Sequence, residues 1–153
     1  MKIREGTIAE IVEASRHVPE LVNPYEESVY HERLDGTEHL MLVAEAEGKV
    51  VGFKVGYNRC KDGSFYSWMG GLLPAYRGQG IYQELTSAME QWAAEKGYTH
   101  MLLKTRNKLK PMIRFCLSQG YYVSGFSEHL DAMESRIYFR KELQVKSQNA
   151  NAK

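Results

Sequence analysis

The stretch "LLPAYRGQGIYQEL", residues 72–85, sets Arg77, Gly78 and Gly80 directly before a run of apolar residues at helical spacing. The first backbone N–H groups of a helix have no intrahelical acceptor, and the helix dipole favours negative charge beside them. Glycines in the entering turn let an anionic oxygen come close to those donors. The segment reads as an anion cradle, with phosphate the first ligand to consider. On spacing alone, a plain strand-to-helix turn that uses glycine for its positive φ is the alternative. Two better-known phosphate motifs fail. A GxGxxG fingerprint breaks at Gln83 and lacks an acidic residue about 20 positions on to hold a ribose. No Gly-Lys-Ser/Thr of a P-loop occurs anywhere in the chain.

The elements that must hold this turn follow from periodicity. KIRE, 2–5, reads as a strand. Thr7 is an N-cap for a helix with Ile8, Ile11, Val12 and Val18 on one face, closed by Pro19. Asn23 and Pro24 suit the start of a second short helix that carries Glu26, Glu27, Glu32 and Asp35 and ends at Gly36. Two Val-rich runs flank Glu47-Gly48-Lys49 as a hairpin. A third strand spans 64–74, and its Gly70-Gly71 pair argues for a bulge or a close backbone approach. Ile81, Leu85, Ala88, Met89 and Trp92 mark one long helix ended by Gly97. A strand over 98–105 follows, parallel to the third strand because a helix separates them. Pro111 opens a last helix that ends at Gly120, and YYVSGFS and RIYFRKEL read as two final strands. Residues 144–153 are a polar tail expected to be disordered, leaving 1–143 as one domain.

Composition narrows the class. With 153 residues the chain suits one domain with one substantial core. It has no apolar run near the roughly 20 residues of a membrane-spanning helix and no apolar segment of a secretory leader, so a cytoplasmic location is expected. Cys60 and Cys116 lack any CxxC spacing, which argues against a metal site or a disulfide framework. No basic patch with interleaved aromatics suggests nucleic acid. Charge is uneven: residues 1–50 hold five Lys/Arg against eleven Asp/Glu, the remainder fifteen against eight. Two solvated faces would explain this, as would a cleft with an anionic ligand on the basic side and a cationic one on the acidic side.

Arg77-Gly78-Gln79-Gly80-Ile81-Tyr82 resembles the Gln/Arg-x-x-Gly-x-Gly/Ala motif of the GCN5-related N-acetyltransferase (GNAT) superfamily. "AAEKGYTHMLLKT" and "FCLSQGYYVSG" follow in the family's order, and the likeness covers roughly residues 39–126. The resemblance implies an α/β (α+β) fold: a mixed, mostly antiparallel sheet of about six to seven strands with a splayed parallel pair, flanked by about four helices. It also implies acetyl-CoA as cosubstrate. The pyrophosphate would lie on the N–H groups of Arg77, Gly78, Gln79, Gly80, Ile81 and Tyr82. The pantetheine would lie along Leu72 and Leu73, in the V between 65–73 and 98–105. Asn107 stands two residues early for a family pantetheine contact. Tyr82 occupies the motif's last small position, so its ring must turn aside.

The implied reaction is direct attack of a primary amine on the thioester, with the Leu72 N–H polarising the carbonyl. The expected acceptor is a small-molecule or peptide amine, walled by the acidic N-terminal helices; no nucleic acid or membrane partner is implied, and a homodimer is a family-level expectation. The strand before the motif carries no carboxylate base. Glu27, with Glu26 and Glu32, is the candidate from the second helix; Tyr66 and His129 are others. Many relatives place a Tyr acid four residues before the Gly-aromatic pair, where this chain has Cys116, which is a proton donor or simply a small buried hydrophobe. Weak acid/base equipment keeps a second class open, a non-catalytic acyl-CoA-binding or regulatory module.

Overall fold

The computed structural model describes residues 1–144; apart from Gln144, the expected tail lies outside the described residues. The elements are β1 (Lys2–Glu5), α1 (Ile8–Ser15), α2 (Glu27–Leu34), β2 (His39–Ala46), β3 (Lys49–Tyr57), β4 (Ser64–Leu72), α3 (Ile81–Glu95), β5 (His100–Arg106), α4 (Lys110–Ser118), β6 (Tyr122–Ser127) and β7 (Arg136–Glu142). They form one seven-stranded sheet ordered β1-β2-β3-β4-β5-β7-β6. Every neighbouring pair is antiparallel except β4 with β5. This is the mixed α+β sheet with one parallel pair expected from the resemblance.

Local chemistry explains most boundaries. The Thr7 hydroxyl accepts from the Glu10 N–H at 3.2 Å while the Glu10 carboxylate accepts from the Thr7 N–H at 3.0 Å, a reciprocal capping box. α1 stops at Ser15, a turn earlier than its apolar spacing suggests, and Val18 stays buried through a turn bond to Ser15 O. The second helix begins at Glu27, not at Pro24, with an extended Glu26 before it. Tyr25 stacks on Trp68 with ring centroids 5.6 Å apart, which holds the preceding chain out of helix. Between β2 and β3, Glu47 and Gly48 both take positive φ, as a two-residue hairpin turn requires.

The central strands β2–β5 are buried on both faces, while β6 at the edge is exposed. α3 and α4 cover one face, over Phe65, Leu85, Met89, Met101 and Phe139. α1 and α2 cover the other, over Ile11, Tyr30, Leu34, Val43 and Phe53. β4 carries a bulge, but not at Gly70-Gly71: Val55 faces Met69 while Gly56 faces Ser67, so Trp68 is the extra residue. The two glycines serve close approach instead. A Cβ on Gly70 would overlap Tyr82 Oη, and one on Gly71 would lie 2.9 Å from a Val18 methyl.

Pairing between β4 and β5 is confined to Ser64–His100, Phe65–Met101 and Tyr66–Leu102, although both strands run on. A bulge raises local twist and bends its strand. With Trp68 placed just past the last pair, β4 turns away from β5 and the strands open into a V whose apex is Tyr66 and Leu102.

Candidate active site

The open edge of β4 is set by ladder geometry. Leu73 N–H donates to Val51 O at 2.8 Å, which makes the Leu72–Gly52 pair one whose own polar groups point away from β3. Gly70, opposite Lys54, has the same orientation. The N–H groups of Gly70 and Leu72 therefore face the V, where β5 no longer pairs with them. The Leu72 carbonyl accepts from Arg77 Nε at 3.1 Å and Nη2 at 2.9 Å. Leu73, expected to offer a backbone contact to the cofactor, has its donor taken inside the sheet.

The edge leads into the glycine turn. The N–H groups of Gly78, Gln79, Gly80, Ile81, Tyr82 and Gln83 have no acceptor among the described residues. Gly78 and Gly80 both sit at φ +80°, with nothing within 4 Å of a Cβ position. Backbone conformation selects glycine there, and the open space leaves the donors reachable. Arg77 differs from its expected part. Its N–H bonds Pro74 O, and its guanidinium, besides holding Leu72 O, pairs with Glu20 at 2.7 and 2.9 Å. That pair ties the turn to the α1–α2 connection and holds the Glu20 carboxyl below its ordinary range.

Tyr82 turns its ring down onto the sheet, over Gly70 and edge-on to Phe115 at 5.3 Å. Its oxygen lies 3.4 Å from Lys54 Nζ. Lys54 is 2% exposed and is a site residue that sequence reasoning missed, since it sits in an otherwise apolar strand. The available signal is Gly52-x-Lys54-x-Gly56. On that face a Cβ at 52 would crowd Leu72 and Leu85, and one at 56 would crowd Phe65 and Met89. α3 lies so close that only glycine fits beside the lysine, whose ammonium can emerge only at the start of α3.

The other candidates separate. Cys116 is fully buried in the α3/α4 core, and burial pushes its thiol up to about 11, which suits a small buried hydrophobe. Asn107 donates from its N–H to Ser135 O and from its amide to Ala132 O, so it anchors the β6–β7 connection. His129 Nδ1 accepts from the Asp131 N–H in that connection. Glu27 is exposed on α2 beside His31 at 3.8 Å, and Glu26 and Glu32 are exposed as well. Tyr66 is buried at the apex, and burial pushes its hydroxyl up to about 12, so at neutral pH it is no base.

The face covered by α1 and α2 gathers cations as well as the exposed carboxylates of α2. Trp68, Tyr57 and Tyr66 form a continuous aromatic floor, with centroid separations of 5.7 and 5.8 Å. Arg33 lies 4.8 Å above Trp68, and Arg59 and Lys104 lie 5.0 and 5.8 Å from the Tyr66 ring. Arg136 joins them: Lys104 opposes Tyr138, and Arg136 is two residues before Tyr138 on the same side of β7. Strand alternation and fold, not chain position, decide which charges share a face. Among the described residues no His/Cys/Asp/Glu group could hold a metal ion, and no helix is long and apolar enough to cross a membrane.

A parallel strand pair that parts around a free backbone edge, with a glycine turn and helix N-terminus at its open end, is the arrangement of the GNAT acetyltransferase fold. The chain belongs to the Acetyltransferase (GNAT) family, whose model matches residues 7–121. Solved structures share the fold. The ribosomal-protein-S18-alanine N-acetyltransferase from Escherichia coli has a TM-score of 0.77 at 14% identity, with 94% of each chain covered. Ard1 from Thermoplasma volcanium gives 0.77 at 19%, over 94% of this chain and 97% of that one. A Bacillus anthracis chain, described as a streptothricin acetyltransferase and solved with acetyl coenzyme A, gives 0.69 at 23%, over 80% and 73%. Among curated protein sequences nothing matches.

Proposed function

We propose that the protein transfers the acetyl group of acetyl-CoA to a primary amine, by direct attack within a ternary complex. The observation that carries this reading is a line of two groups of free backbone donors, Gly70 and Leu72 on the V-facing edge and Gly78–Gln83 at the start of α3. Such a line fits a ligand with an amide-bearing arm at one end and a pyrophosphate at the other. The thioester supplies an acyl group already activated for transfer.

The chain's own groups then have defined tasks. The donors of residues 78–83 hold the anionic end, and the Gly70 and Leu72 edge aligns the arm like an added strand. The Gly70 N–H, aimed into the cleft nearer its apex, stabilises charge that grows on the carbonyl oxygen, the part expected of Leu72, whose own N–H then holds the arm. Tyr82 replaces Cys116 as the group best placed to protonate the departing sulfur. Its hydroxyl lies over Gly70 on the α3 face of β4, beside the strand edge that borders the V, and Lys54 Nζ at 3.4 Å balances the charge left on its oxygen. β4 offers no carboxylate, so the amine proton leaves through water.

Calorimetry with acetyl-CoA, followed by CoA-thiol release over amino acids, polyamines and peptide N-termini, tests the assignment. Binding with turnover of at least one amine class is expected. Binding with no turnover of any class would replace the enzyme with the acyl-CoA-binding module, and no binding would end both readings.

A further inference from the structure

Four cations stand apart because they lack a carboxylate partner and also gather on one face of the sheet, the one under α1 and α2. Arg4, Arg77, Arg106, Lys108, Arg140 and Lys141 each pair with a carboxylate at 2.6–2.9 Å. Arg33, Arg59, Lys104 and Arg136 pair with none among the described residues. They nevertheless converge. Arg59 and Lys104 meet over the ring of Tyr66, and burial with the nearness of Arg59, Arg136 and Arg33 pushes the Lys104 ammonium below its ordinary value. Like charges held together on a half-buried aromatic floor are mutually repulsive, and an anion placed among them removes that repulsion.

Resting on the acetyltransferase reading, we propose that the acceptor is a small amine that also carries a carboxylate, and that Arg59, Lys104 and Arg136 hold this carboxylate over Tyr66 at the apex of the cleft. Position separates the cluster from the cofactor's phosphates: Tyr66 is in the last residue pair at the closed apex of the V, whereas the phosphate cradle at residues 78–83 lies past its open end. Charge argues the same way. A simple ammonium acceptor is repelled by this field, whereas an aminocarboxylate brings its own compensation. The field also favours loss of the amine proton, giving the neutral form that attacks. Two acidic groups, Glu128 and Glu134, line an adjoining hollow with Arg106 and Arg136, but Glu134 is engaged by Arg106 and Lys108 at 2.7 and 2.6 Å.

The test compares phenylalanine with phenylalaninamide and phenethylamine, and β-alanine with ethylamine, by initial rates of CoA-thiol release at saturating acetyl-CoA. A preference of about tenfold or more in kcat/KM for the carboxylates is expected, the worth of one charge-assisted contact. Arg59→Gln and Lys104→Met should each collapse that ratio; Arg59 is exposed, so its variant is not at risk of misfolding. Equal or better turnover of the uncharged counterparts overturns the inference while leaving the transferase intact. If no amine is turned over, titration of the same carboxylates into the protein–CoA complex decides. Binding that is lost in Lys104→Met sustains the anion site without the reaction, and absence of binding overturns it. Weakened acetyl-CoA affinity in either variant would assign the cluster to the cofactor and also overturn it.

Discussion

Tyr82 stands where the family motif has a small residue, and Gly70 on the facing strand supplies the room for its ring. If its hydroxyl is the proton donor, Tyr82→Phe keeps the ring packing and removes the acid together with the 3.4 Å partner of Lys54. A fall in kcat of about 100-fold, within the usual range for general acids, is expected with little change in KM for acetyl-CoA; an unchanged kcat would remove Tyr82 from the chemistry. Lys54 behaves differently because its buried ammonium meets only Tyr82, at 3.4 Å from the hydroxyl and 4.8 Å from the ring centroid, and no carboxylate among the described residues. Lys54→Met should raise stability by about 1 kcal/mol, or roughly 2–4 °C in a chain this size, while lowering kcat. Differential scanning calorimetry beside initial rates checks both signs. At Gly80, φ of +80° and open surroundings mean that Gly80→Val adds strain at a donor that the ligand needs. Acetyl-CoA affinity should drop by about tenfold or more with an unchanged far-UV circular dichroism spectrum, and retained affinity would remove the cradle. The cradle glycines were legible from the sequence because spacing reveals a turn. Lys54 was not, since nothing local says which face of an apolar strand a single lysine occupies.

The strand and helix inventory followed from local signals: caps at Thr7 and Gly97, the Glu47-Gly48 turn and the long stripe of α3. α2 was misplaced by a few residues because Asn23-Pro24 is a good start signal that tertiary stacking of Tyr25 on Trp68 overrides. Gly70-Gly71 reads as a bulge or a close approach; the glycines serve close approach and the bulge lies at Trp68, since a bulge is a mismatch between two strands and neither strand alone specifies it. α1 offers a pH test. Arg4, then the Thr7 N–H, hold the Glu10 carboxyl at about 2, below an unfolded value near 4.3. A depressed folded pKa contributes stability above the unfolded value, and that stability is lost as pH falls through the folded one. Thermal midpoints should therefore decline between about pH 5 and pH 2, and Glu10→Gln should flatten that decline. An identical decline in the variant would assign acid unfolding to other groups.

Across the whole molecule the sheet divides two kinds of chemistry. The turn before α3 gathers backbone donors, while the α1/α2 side gathers Arg33, Arg59, Lys104 and Arg136. Both ends are thereby suited to anions, so raising ionic strength should lower kcat/KM for acetyl-CoA through screening of encounter; salt-independent initial rates would argue that these charges do not steer it. The sequence by itself determined the order of elements, the glycine turn and the family, because these depend on residues near one another in the chain. Only the tertiary structure decided where the strands part, that Tyr82 meets Lys54, that Arg77 answers to Glu20, and that Arg33, Arg59, Lys104 and Arg136 share one face. Each of these rests on residues distant in sequence, brought together by strand register and pleat, and chain-averaged charge or spacing carries no record of that.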